Sequence, residues 1–137
     1  MNKSVDIILE EWKTCVEMAN SISQRRDTFN NIFITINTAI MSLILLNPEV
    51  NSVLVSLIGI FSLVFWIVFI TNFKKLNIAK FKVIFELEKK LPYKPFTKEW
   101  EYAKNNKYVN GTTVEIGLII VLFIVYLIII VSKLKGA

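Results

Sequence analysis

The sequence predicts an all-α integral membrane protein, with three transmembrane helices and a cytoplasmic helical stalk. Three observations lead there. Apolar residues make up 54% of the chain and are bunched into long runs instead of being spread with a period. Lysine and arginine crowd the flanks of those runs and favour one side. Glycine and proline are scarce, 4 and 3 among 137 residues, so little interrupts a helix.

Residues 4–27 read as an amphipathic cytoplasmic helix. Val5, Ile8, Leu9, Trp12, Cys15, Val16, Ala19 and Ile22 recur at helical spacing, with Asp6, Glu10, Lys13 and Glu17 opposite. No glycine or proline precedes Pro48, so this helix is expected to run unbroken into the first span, 28–46. Asn47 to Ser52 form a turn around Pro48. The second span, 53–73, carries no charge and reaches roughly 30 Å as a helix, the thickness of a bilayer core. A cytoplasmic helix follows over 74–91, its apolar stripe being Phe73, Leu76, Val83, Ile84, Leu87 and Leu91, and Pro92 stops it. Residues 92–111 are a connector in which Thr97 is expected to cap a short helix, with Asn110-Gly111 as a turn. The third span, 112–132, is nearly pure Leu, Ile, Val and Phe after its first turn.

Orientation follows from counting cations. Residues 1–31 hold four lysines and arginines and 74–111 hold ten, against Lys133 and Lys135 in the tail. With three spans this is 14 against 2, which places the N-terminus in the cytoplasm and the short C-terminal tail on the opposite side of the membrane. Residues 1–27 carry nine charged side chains and no apolar core segment, so a cleaved signal peptide is not expected. The two cytoplasmic helices should pack on each other through their apolar stripes. Their net charges, −2 over 3–24 and +4 over 74–91, are complementary.

The chain has no histidine and one cysteine, Cys15, whose place on the apolar stripe points to packing. No nucleophile–base pair, phosphate loop or metal-ligand spacing occurs, so neither enzyme activity nor a cofactor is expected. The net charge of +5 arises from cations flanking the apolar runs, which argues for membrane lipids as partners and against nucleic acid.

The candidate functional residues are polar groups within or beside the spans. Asn31, Thr35, Thr38 and Ser42 make one stripe on the first span, and Asn30 and Asn37 an adjacent row. Polar side chains cannot face lipid tails without partners, which leaves two readings. The stripe packs against Ser56, Gly59 and Ser62 of the second span, or it lines a water-filled path in an oligomer. Glu115 is the one acid within a span. It sits in the first turn of its helix, where it suits the dipole and can pair with Arg25, Arg26, Lys74 or Lys75. Arg25 and Arg26 are also expected to set topology and bind lipid phosphates.

The stretch from Trp12 to Arg26, followed by Asn30 and Ile36-Asn37-Thr38, resembles the RipA-like family of small bacterial inner-membrane proteins. Leu91-Pro92, Pro95, Glu99-Trp100-Glu101 and the segment Tyr108 to Glu115 add to it. The resemblance covers roughly residues 12–115 and implies an octamer in the cytoplasmic membrane. The chain is similar, more weakly, to SLATT-type membrane effectors. The functional expectation is a homo-oligomeric helical assembly, with a channel or pore as its activity. The alternatives are a membrane-damaging effector of an anti-phage or conflict system, and a non-conducting scaffold or interaction protein.

Overall fold

The computed structural model describes residues 3–106 and 109–135. Helix α1 spans Lys3–Leu46, α2 Ser52–Glu88, α3 Pro95–Asn105 and α4 Gly111–Lys135, and no strand occurs among the described residues. Helices α1, α2 and α4 are each long and apolar enough to cross a membrane. Tyr108, part of the family-like segment, lies outside the described residues.

Helix α1 is a single helix of 44 residues, because nothing before Pro48 breaks its hydrogen-bond ladder. Two asparagines then build the turn. The Asn47 Oδ1 accepts from the Glu49 amide at 3.2 Å, and the Asn51 Oδ1 accepts from the Leu54 amide at 3.2 Å. The second of these caps α2, satisfying one of the amides that the first turn of a helix leaves without a partner.

The chain divides into two compact units, one formed by Met1–Arg25 with Asn72–Asn110 and the other by Arg26–Thr71 with Gly111–Ala137. In the first, the start of α1 packs on the end of α2 and on α3. Ala19, Ile22, Ile84 and Leu91 are its buried apolar residues. Trp12 and Phe81 both meet Phe96 of α3, each with ring centroids 5.7 Å apart. Leu76 and Val83, expected on the buried stripe, are exposed, while Phe81 turns inward.

Helix α2 ends at Glu88, three residues before Leu91, and the chain closes in tighter turns, the Lys90 amide donating to the Leu87 carbonyl at 3.0 Å and the Leu91 amide to the Glu88 carbonyl at 3.1 Å. The Glu88 carboxylate is wholly buried. It accepts from the amides of Phe96 and Thr97 at 2.9 and 3.1 Å and from the Thr97 hydroxyl at 2.8 Å. Thr97 therefore does not cap α3, which begins at Pro95; a carboxylate from α2 does so instead. An anion suits the positive end of the helix dipole. Likewise Gly111 is the first residue of α4 and not the second half of a turn.

In the second unit, Phe33, Leu63, Trp66, Ile70, Ile119 and Tyr126 form the buried cluster. Phe33 stacks on Trp66 at 5.8 Å and Phe29 on Phe69 at 4.7 Å, so aromatic rings knit α1 to α2. Most remaining Leu, Ile, Val and Phe side chains of these helices face outward, which is the surface that lipid or another copy would cover.

Candidate functional site

Two polar layers cross the interior of the second unit. The outer one starts with Arg26. Its Nε donates to Glu115 Oε1 at 3.1 Å, its Nη2 donates to Thr112 Oγ1 at 2.8 Å, and Nη2 also pairs with Glu115 Oε2. Asn30, one turn along α1, donates from Nδ2 to Glu115 Oε1 at 2.6 Å. Its Oδ1 accepts from the Trp66 indole at 2.9 Å, so both ends of the amide are used. The Arg26 and Glu115 side chains keep only 18% of their surface. A two-pronged pair of this kind tolerates that burial because both charges are also hydrogen-bonded to neutral groups.

The inner layer is built on Asn37, which is 1% exposed. Its Nδ2 donates to the Phe33 carbonyl at 2.8 Å and, more weakly, to Ser62 Oγ at 3.4 Å. Its Oδ1 accepts from the Tyr126 hydroxyl at 3.0 Å. The seven helical steps from Asn30 to Asn37 span about 10 Å. Phe33, Leu63 and Ile119 fill the interval, so the two layers are insulated from one another by apolar side chains. Their chemistry is that of helix-to-helix clamps, each polar group answered by another.

The adjacent row takes the opposite position. Asn31, Thr35, Thr38 and Ser42 are all exposed on α1. The Thr35 and Thr38 hydroxyls donate to the carbonyls of Asn31 and Ile34, both at 2.8 Å, one turn back in their own helix. Thr28, Asn31, Ile32, Thr35 and Ile36 line a shallow, open groove of about 370 Å³. The small face of α2 does not receive this row. Gly59 lies under the Tyr126 ring of α4, Ser62 meets Asn37 from the other row, and Ser56 is buried with its hydroxyl unpartnered. Arg25, Lys74 and Lys75 are exposed and belong to the first unit.

Sequence reasoning did not single out Trp66, Thr112, Tyr126 or Glu88. For Tyr126 a signal existed, as it is the one hydrogen-bonding side chain between Leu118 and Val131. A tyrosine hydroxyl in an apolar span needs an acceptor from another helix. Glu88 gave none, since a carboxylate among lysines reads as surface charge.

No curated protein and no solved structure matches the chain. A family model, the octameric membrane protein family (8xMP), matches residues 9–135, which takes in all four helices nearly from end to end. The chain therefore belongs to the octameric membrane protein family.

Proposed function

We propose that the chain forms a homo-octameric channel in a bacterial cytoplasmic membrane, with Asn31, Thr35, Thr38 and Ser42 of each copy turned toward a shared, water-filled axis. One contrast carries this reading. Of two neighbouring polar rows on α1, one is consumed inside the bundle, while the other stands exposed on a helix apolar enough to span a membrane. An exposed polar row at that depth calls for water or for another copy. Eight helices at a contact spacing of about 10 Å form a ring of roughly 13 Å radius, wide enough to hold water at its centre. Cation asymmetry, 14 against 2, supports a cytoplasmic N-terminus and a periplasmic C-terminus, and the same cations suit anionic lipid headgroups.

The test replaces Thr35, Thr38 and Ser42 together with leucine. Ion flux into liposomes is measured beside the mass of the solubilised oligomer. Lost flux with an intact octamer is the expected result. Unchanged flux with an intact octamer sinks the channel reading for this face.

A second reading is a non-conducting membrane scaffold. It is favoured by the Thr35 and Thr38 hydroxyls closing onto their own helix, which lets the face pack dry against a neighbouring copy. Under that reading the same triple substitution breaks the oligomer.

A further inference from the structure

We propose that neighbouring copies in the octamer meet through a row of alternating charges: Glu10, Lys13 and Glu17 of one copy against Lys89, Glu86 and Lys82 of the next. The inference rests on assembly of copies in a membrane and not on conduction. All six side chains belong to the first unit and all are exposed. The ion pair among the described residues is Arg26–Glu115, so these six charges form no ion pair with any described residue of their own chain.

Position turns this into a surface. Glu10, Lys13 and Glu17 follow helical spacing, so they form one row on α1. Glu17 stands two residues from buried Ala19, which is about 200° around the helix, so the row faces away from the packed side. On α2, Lys82 and Glu86 each stand two residues from buried Ile84, and Lys89 follows as the first residue beyond the helix. A single chain thus offers one charge row on the outside of α1 and another on the outside of α2.

The heights of the rows match. Helices α1 and α2 run antiparallel from a tight turn, and Met18 of α1 touches Lys80 of α2 at 3.6 Å. Counting outward from that contact sets Glu17 level with Lys82, Lys13 with Glu86 and Glu10 with Lys89, within about one residue rise of ~1.5 Å. The signs run minus, plus, minus against plus, minus, plus. Copies sharing one orientation in a membrane are related by a rotation about the membrane normal, since any other closed symmetry would turn half of them over. Such a rotation leaves every residue at its own height. For helices that run along that axis, levels matched within one chain are matched between neighbours, and two different faces meeting head to tail close into a ring. Like charges would oppose each other one step out of register, so the alternation also selects the register.

Two charge reversals test this on the full-length chain in detergent: E10K/K13E/E17K, and K82E/E86K/K89E. Native mass spectrometry at low salt reads the octamer fraction. Each set alone is expected to reduce that fraction at least tenfold, and the two sets combined in one chain to restore it. An unchanged fraction in either single set, or no recovery in the combined chain, overturns the proposal. A second measurement covers failure of a reversed chain to accumulate. With Cys15→Ser as background, Glu17→Cys and Lys82→Cys in one chain are oxidised, and the expected result is a covalent ladder from dimer to octamer on a denaturing gel. No ladder from a protein of octameric native mass overturns this interface while leaving assembly intact. A monomeric native mass for the unsubstituted chain overturns both.

Discussion

A methyl group placed on Gly59 would stand 2.3 Å from Cζ of Tyr126 and 2.7 Å from its two Cε atoms. Glycine at this point of α2 is thus the condition for the Tyr126 ring to lie flat on the helix backbone. From there its hydroxyl reaches Asn37 of α1. One absent side chain joins three helices. Gly59→Ala is expected to lower the thermal midpoint of the detergent-solubilised protein, by an overpacking cost of about 1–3 kcal/mol. An unaltered midpoint would mean that Tyr126 has another place to go.

Tyr126→Phe keeps the ring and removes only the hydroxyl. Buried Asn37 then loses the donor to its Oδ1. Hydrogen bonds between membrane helices average about 0.6 kcal/mol, so a loss of roughly 0.5–2 kcal/mol is expected. This should be smaller than the loss in Gly59→Ala, and the same melting assay ranks the two.

Arg26 and Glu115 should behave as one unit. Arg26→Gln strands the carboxylate in a half-buried site with Asn30 as its remaining donor, at a cost of about 1–3 kcal/mol. Glu115→Gln takes the counter-charge from the guanidinium, which keeps Thr112 and one amide oxygen as acceptors. The double substitution removes both charges and is expected to cost less than the sum, with a coupling energy above about 0.5 kcal/mol in a double-mutant cycle. Simple additivity would remove the pair from the account of stability.

Glu88 holds α3 in place, so its loss should be local. Glu88→Ala leaves the Phe96 and Thr97 amides without their acceptor, an N-cap loss of about 1 kcal/mol. Hydrogen exchange over 95–105 should speed up several-fold, while the second unit keeps its protection. Glu88→Gln retains an acceptor oxygen and should recover part of the effect. Uniformly faster exchange in both units would contradict this local role.

A topology reporter tests the charge argument. Fused after Lys90 it should read cytoplasmic, and after Lys135 periplasmic, because cations divide 14 to 2 between the two faces. Both fusions reporting the same side would mean that the chain does not cross three times.

Much of the architecture was legible in the amino-acid order, because it depends on local quantities. The length of the uncharged run over 53–73, the absence of glycine and proline before Pro48, and the turn around Pro48 follow from helix geometry and bilayer thickness, with no knowledge of neighbours. The match over residues 9–135 agrees with the octameric membrane family that the motifs resembled. Tertiary structure alone decided which groups met. Asn30 and Asn31 differ by 100° of helix rotation, and only packing turned the first toward Trp66 and Glu115 and left the second outside. Glu115 had four cations within sequence reach, and the structure seats Arg26 against it. Gly59 and Tyr126 are remote in sequence, and neither announces that one makes room for the other. Glu88 looks like any exposed acid until α3 folds back and offers it two amide protons. The spans come from local free energies of transfer, which each segment carries by itself. The partners come from contacts between helices, which exist only once the segments are packed.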